Sequence, residues 1–211
     1  MNLNQIILIF DFDGTIADTL AFTINSASEI SRKLKLLNEE KVNMEKFRSM
    51  DSREFFKELE IPTSKLLWFM FKYQRKLVHE IDDIKTFEGL DEVLHVMKNN
   101  GVKLGIVTSN SKRNVKKFLR KNNLEYFDFV YSSLNYFRKD KMLKKAIEKF
   151  QMNKENVIYV GDEVRDIKAA KSIGIKVASV TWGYNFESVL SEYKPDFLIY
   201  RPKDLLNLIN S

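Results

Sequence analysis

Acidic side chains fall at two points of the chain in spacings that could do chemistry. Asp11-Phe12-Asp13-Gly14-Thr15 follows the apolar run Ile6-Ile7-Leu8-Ile9-Phe10. On an extended chain Asp11 and Asp13 point to one side and Phe12 to the other. Two carboxylates so placed repel each other, and the arrangement is costly unless a cation or a shared proton relieves it. The second point is Gly161-Asp162-Glu163-Val164-Arg165-Asp166. Asp162 ends another apolar run and Asp166 lies one helical turn on, so the two can face the same point. A third apolar run ends in Thr108-Ser109-Asn110, where a hydroxyl and free N–H groups at a helix start would cradle phosphate oxygens. Each feature also has a plainer explanation. Asp13-Gly14 is a common turn pair, and Asp, Ser and Asn are ordinary helix caps. An EF-hand loop is disfavoured, because its further ligands and terminal Glu are missing.

The elements that must hold these residues are legible as well. Residues 6–10 are rich in β-branched side chains and end in a Gly-containing turn, which suits a strand buried on both faces of a parallel sheet. From Thr19 to Phe87 the pattern is helical. Asp18 or Thr19 could cap a helix to about Leu37, with Leu20, Ile24, Ala27, Ile30, Ser31 and Leu34 on one face, broken at Asn38-Glu39-Glu40. Asp51 and Glu54 signal a further helix start, and that helix ends before Pro62. Thr63 or Ser64 opens another, from Leu66 to about Ile81. After Phe87, helix and strand alternate. Helices are expected at Leu90–Asn99, closed by Gly101, at Val115–Asn122, Met142–Phe150 and Glu163–Ile173, with a last one starting near Pro202. Strands are expected at Val102–Val107, Phe127–Tyr131, Val157–Val160, Val177–Thr181 and Phe197–Tyr200. Such alternation predicts an α/β fold with a doubly wound parallel sheet, in which ligands sit beyond the carboxyl ends of the strands.

The 211 residues, 44% of them hydrophobic, suffice for one domain or a core with a smaller insert. The absence of Cys excludes disulfides, a thiolate nucleophile and a Cys-based zinc site. No apolar run approaches the roughly 20 residues of a membrane span, and the first residues lack a signal-peptide pattern; the expectation is a cytoplasmic protein without a membrane partner. The net charge of +6 raises nucleic acid as a partner. The basic residues, however, line outer helix faces. Lys112, Arg113, Lys116, Lys117, Arg120 and Lys121 lie opposite Val115, Phe118 and Leu119, the pattern of a solvated helix, so no nucleic-acid partner is expected.

The motifs together resemble the haloacid dehalogenase (HAD) superfamily, most of whose members are phosphatases. Asp11-Phe12-Asp13-Gly14-Thr15 matches its first motif and Thr108 the hydroxyl of its second. The third is a Lys at a helix start; Lys139 stands in that register, ahead of Asp140 as N-cap and of Leu143, Ala146 and Ile147 as the inward face, with Lys141 as the other possibility. Arg138 departs from the usual Gly. Gly161-Asp162 with Asp166 matches the fourth, and Phe87-Glu88-Gly89, Ala169-Ala170 with Gly174, and Thr181-Trp182-Gly183 resemble further landmarks. The resemblance implies a Rossmann-like HAD core from residues 1–17 and 88–211, with residues 18–87 as an inserted helical cap. It implies hydrolysis of a small phosphate monoester through an aspartyl-phosphate, with Asp11 as nucleophile and Asp13 as acid and base. Mg²⁺ would be held by Asp11, the backbone carbonyl of Asp13, Asp162 and Asp166. Thr108, Ser109, Asn110 and Lys139 would bind the phosphoryl oxygens. Arg53, in Met50-Asp51-Ser52-Arg53, falls where capped members read their substrate, although a surface helix-start Arg is the favoured explanation. His79 and His95 fall in no motif. A phosphoglycolate-phosphatase-like enzyme acting on a small phosphorylated metabolite is the first reading. A β-phosphoglucomutase-like phosphotransferase is the alternative within the family, and a catalytically idle binding protein of the same fold is the alternative outside catalysis.

Overall fold

The computed structural model describes residues 6–34, 44–58, 60, 62–133 and 138–209. Strands β1 (Ile7–Phe10), β2 (Lys103–Thr108), β3 (Phe129–Ser132), β4 (Val157–Gly161), β5 (Lys176–Val180) and β6 (Phe197–Ile199) form one parallel sheet in the order β3-β2-β1-β4-β5-β6. The first strand in sequence is therefore central, with Phe10 in register with Ile106 on one side and Val160 on the other. Both faces of β1 are buried, as its unbroken apolar run requires. Leu8 and Phe10 join one core cluster with α5 (Leu90–Asn99) and α6 (Lys112–Lys121). Ile7 and Ile9 join another with α7 (Lys139–Lys149) and α8 (Val164–Ser172). The two-residue period of a strand sends alternate side chains to opposite layers. On α6 the basic residues face outward while Val115, Phe118 and Leu119 are buried, and the Phe118 ring meets Phe12 edge-on at 5.1 Å.

Between β1 and α5 the chain builds only helices among the described residues: α1 (Leu20–Leu34), α2 (Met44–Arg48), α3 (Ser52–Glu58) and α4 (Thr63–Glu80). The chain leaves and re-enters the sheet layer at one place. Ala17 bridges to Thr86, Asp18 N–H donates to the Lys85 carbonyl at 3.0 Å, and the Thr86 hydroxyl donates to the Ile16 carbonyl at 2.9 Å. The insert is not a free appendage, since Tyr73 and Leu77 of α4 and Ile81 just after it lie in the same core cluster as Phe10 and Phe12. Its loop 48–51 is hydrogen-bonded to the loop after β5, with Asn185 Nδ2 donating to the carbonyls of Arg48 and Met50 at 3.0 Å each.

Several expectations need correction. Thr19 directly precedes α1 and its carbonyl accepts from Thr23 N–H at 2.8 Å, while its hydroxyl turns to the interior, 2.9 Å from the Tyr184 hydroxyl. The inward face of α1 is set by Phe22 and Ser26, because Phe22 packs on Tyr73 of α4 at 5.3 Å; Ile24 is half-buried. The expected end near Leu37, the break at Asn38-Glu39-Glu40, and the side chains of Ala27, Ile30, Ser31 and Leu34 lie outside the described residues. Helix α6 begins earlier than its apolar pattern suggests, because Ser111 accepts from Asn114 N–H as the cap. Helix α7 begins at Lys139 with Arg138 at the cap position, so Asp140 sits within the first turn instead. The segment Pro202–Ile209 is 3₁₀-helical, and the short α9 (Glu187–Glu192) was not foreseen.

Asp51, at the start of α3, accepts from Lys168 of α8 at 2.8 Å and from Arg53 N–H at 2.8 Å. Burial works against its ionisation, but the hydrogen bonds from Lys168 and Arg53 outweigh it and hold the carboxyl below its usual range. A carboxylate with a depressed folded pKa stabilises the fold above its unfolded pKa and loses that contribution as pH falls through the folded one. Asp51→Asn is therefore expected to cost roughly 1–3 kcal/mol at pH 7. The difference from wild type should shrink as urea unfolding is repeated at progressively lower pH.

Candidate active site

The carboxyl ends of the central strands bring the sequence motifs together. Asp11 leaves β1 with its N–H donating to the Val160 carbonyl at 2.8 Å and its Oδ1 accepting from Phe12 N–H at 2.8 Å. Asp162 follows β4 directly, and Asp166 stands in the first turn of α8. Oxygens of Asp11, Asp162 and Asp166 lie within 4.8 Å of one another, and all three residues are buried. Asp162 is fixed from two sides: the Thr15 hydroxyl donates to Oδ1 at 2.6 Å and Tyr184 N–H to Oδ2 at 2.8 Å. Gly183 and Gly161 permit this crowding. A Cβ on Gly183 would stand 2.3 Å from the Asp162 side chain, and one on Gly161 would stand 2.5 Å from Asp166 Oδ2. Close backbone approach thus accounts for both glycines.

Lys139 answers the choice left open between two lysines. Its side chain is buried, while Lys141 is exposed. Its Nζ lies 2.6 Å from Asp11 Oδ2 and 3.4 Å from Asp166 Oδ1. The approach to Asp11 has ion-pair distance without hydrogen-bond direction. Arg165 is the second buried cation. Its guanidinium binds Glu163 at 2.6 Å and lies 3.8 Å from Asp11 Oδ2. Desolvation by burial, reinforced by Glu163, Asp166 and Asp11, pushes the Asp162 carboxyl well above its usual range. Asp166 is raised by burial to about 6, with Lys139 pulling the other way. An oxygen-only, buried, mutually repelling donor set of this kind fits a hard divalent cation.

Asp13 is set apart from this cluster. It is half-buried, and Asn110 Nδ2 lies 3.0 Å from both of its carboxylate oxygens. Burial and then the neighbouring Asp11 raise it to about 7, against the opposing pull of Asn110, Arg165 and Lys139. Thr108, Ser109 and Asn110 are buried at the end of β2. The Thr108 hydroxyl accepts from Asn110 N–H at 2.9 Å, so its own proton remains to be donated. Arg53 is not with these groups. It folds back on Asp51 and lines a neighbouring groove. His79 and His95 are exposed on α4 and α5.

Three parts of the site were missed by sequence reasoning. One is a polar relay: Asn110 Oδ1 accepts from Asn114 Nδ2 at 3.0 Å, and Asn114 Nδ2 also donates to Gln74 Oε1 of α4 at 3.1 Å. A second is the Glu163–Arg165 pair. The third is the Tyr184–Asn185 loop, which holds Asp162 and accepts Val164 N–H at 2.8 Å. Inspecting the end of β5 as the other strand ends were inspected would have found that loop. Above Asp13 and Ser109, a cavity of about 60 Å³ is roofed by Phe47, Phe56, Phe69 and Tyr73 of the insert.

The sequence model of the haloacid dehalogenase-like hydrolases matches residues 8–180. Phosphoglycolate phosphatase of Synechococcus elongatus is 28% identical over 203 residues, covering 96% of each chain. Pyrophosphatase PpaX of Bacillus cereus is 27% identical over 217 residues, covering 100% of this chain and 98% of its own. In structure, a "predicted phosphatase" from Clostridium acetobutylicum superposes with a TM-score of 0.83 at 20% identity, covering 98% of each chain. The chain belongs to the haloacid dehalogenase-like hydrolase family. Within it, these two relatives are named for phosphatase and pyrophosphatase activities.

Removing Lys139 leaves the acid cluster without its nearest cation. Lys139→Met is expected to lower the stability of the metal-free protein at pH 7 by roughly 3–5 kcal/mol, and the loss should shrink on acidification as Asp162 and Asp166 take up protons. Lys141→Met should change stability by no more than about 0.5 kcal/mol. Urea unfolding of both variants at two pH values checks this.

Proposed function

We propose that this enzyme hydrolyses a small phosphate monoester, phosphoglycolate-like or a sugar phosphate, through a phosphorylated Asp11. The observation that carries the reading is the separation of duties among the acids. Asp11 stands inside a cation-seeking cluster beside Lys139, while Asp13 stands outside it at the mouth of the cavity, raised to about 7.

In this reading Asp11 attacks the phosphorus and the ester oxygen departs with a proton from Asp13, which then takes a proton from the attacking water. A carboxyl raised to about 7 can hold that proton at neutral pH. Lys139 offsets the charge that gathers on the phosphoryl oxygens. The Thr108 hydroxyl, with the backbone of Ser109 and Asn110, orients those oxygens, and Asn110 keeps Asp13 aimed. Mg²⁺ held by Asp11, Asp162, Asp166 and the Asp13 carbonyl would make the phosphorus more electrophilic and screen the like charges.

The helices described between residues 18 and 87 would act as a cap. Their aromatic side chains roof the cavity above Asp13, exclude water and leave little room for the leaving group. The small volume favours a short leaving group, and the curated relative that acts on phosphoglycolate, as its name states, supports the same choice.

A Mg²⁺-dependent screen over phosphorylated metabolites, read as free phosphate, tests the substrate class. Asp11→Asn is expected to keep the wild-type fold by circular dichroism while losing at least about 10³-fold in kcat. Turnover at the wild-type rate by that variant, purified free of background phosphatase, would remove Asp11 from the mechanism.

A further inference from the structure

Beside the catalytic carboxylates, α3, the start of α7 and one side of α8 line a groove with a cavity of about 340 Å³. Arg53, Arg138, Lys139, Arg165 and Lys168 line it, with Asp140 as the acidic side chain among them. The other partner carboxylates stand behind the cations. Asp51 holds Arg53 at 3.3 Å and Lys168 at 2.8 Å, and Glu163 holds Arg165 at 2.6 Å. Asp51 and Glu163 are buried and do not line the groove. Arg138 is steadied by Asp140 at 3.3 Å. The acids thus aim the cations, and the cations face the space. The guanidinium groups of Arg53 and Arg138 have more N–H groups than their carboxylates accept, so donors remain there for a ligand. Convergent Arg and Lys side chains suit the oxygens of a phosphoryl group, which Arg can bind in bidentate fashion.

We propose that this groove is a binding site for a second phosphoryl group, distinct from the one transferred to Asp11. Lys139 and Arg165 belong to both spaces, at 2.6 and 3.8 Å from Asp11 Oδ2. A ligand carrying two phosphoryl groups can therefore place one at Asp11 and the other in the groove; free inorganic phosphate presents the same chemistry to the groove alone. Because Arg53 comes from the insert and the other cations from the core, an anion there ties the two together. The groove's use in reading substrate rests on the phosphatase reading above, whereas its binding of an anion does not.

Arg138 is partly exposed, so Arg138→Gln should leave the melting temperature unchanged, whereas Lys168→Gln lowers it by removing a partner of Asp51 but leaves the protein folded at the titration temperature, with thermal melts as the control. Calorimetric titration of the metal-free protein with pyrophosphate is the first arm. Each variant should bind roughly tenfold more weakly than wild type. Unchanged affinity in both variants, or no binding by wild type, would overturn the proposal. The second arm identifies the source of the group. If it belongs to the substrate, the kcat/KM for pyrophosphate relative to p-nitrophenyl phosphate falls about tenfold in Arg138→Gln. If it is free phosphate, that ratio holds, and calorimetry with inorganic phosphate shows a wild-type site that Arg138→Gln weakens. A protein inert toward every phosphate ester would sink the phosphatase reading, and the first arm would then decide the groove alone.

Discussion

Too many carboxylates meet at the ends of β1 and β4 for the charges present to balance. Asp11, Asp162, Glu163 and Asp166 converge there with Asp13 at the edge, and among the described residues the buried cations beside them are Lys139 and Arg165. In a medium of low effective dielectric, like charges this close are costly, and the excess must be met by protons or by a further cation. The raised Asp13, Asp162 and Asp166 carboxyls express that demand in the protein alone. Magnesium would satisfy the same demand, and a phosphoryl group would bring more negative charge to it. The chemistry proposed for the site follows from this imbalance more than from any single residue.

An imbalance of this size persists only if the scaffold prevents the acids from swinging apart. The parallel register aligns Phe10 with Val160, so Asp11 and Asp162 emerge beside each other. Thr15 and Tyr184 then hold Asp162 from opposite sides, and Gly183 gives it room. The same Tyr184–Asn185 loop is hydrogen-bonded to residues 48–50 of the insert. Through Gln74 and Asn114, helix α4 also reaches Asn110 and hence Asp13. Two separate hydrogen-bonded routes thus connect the insert to the two acidic centres. A shift of the insert would be felt at the carboxylates, which would couple the insert's position to the chemistry proposed for them.

The sheet was legible because its strands are short apolar runs closed by turn residues, and each expected strand lies within about two residues of the observed one. The acids at their ends were legible for the same reason. Helix starts were less so. Lys112, Arg113 and Asn114 give α6 no apolar period at its beginning, and only the Ser111 cap reveals it. Arg165 went unread because charged side chains are seldom buried, and nothing local marks the Glu163 carboxylate that makes its burial tolerable. Gln74 and Asn114 lie 40 residues apart and are ordinary surface residues by sequence; only the packing of α4 on α6 turns them into a relay. Arg53 was legible only as a helix-start residue near the site; its pairing with Asp51 and its place in the adjacent groove follow from the packing of α3 on α8.

Trapping the covalent intermediate tests the central claim most directly. The protein, quenched during turnover of a hydrolysed phosphate ester, would be treated with borohydride, which reduces an acyl phosphate to the alcohol. Peptide mass spectrometry should then find homoserine at position 11 and Asp unchanged at position 13. Reduction at position 13, or an unmodified Asp11 under conditions of a burst of the leaving alcohol, would contradict the division of roles between the two acids.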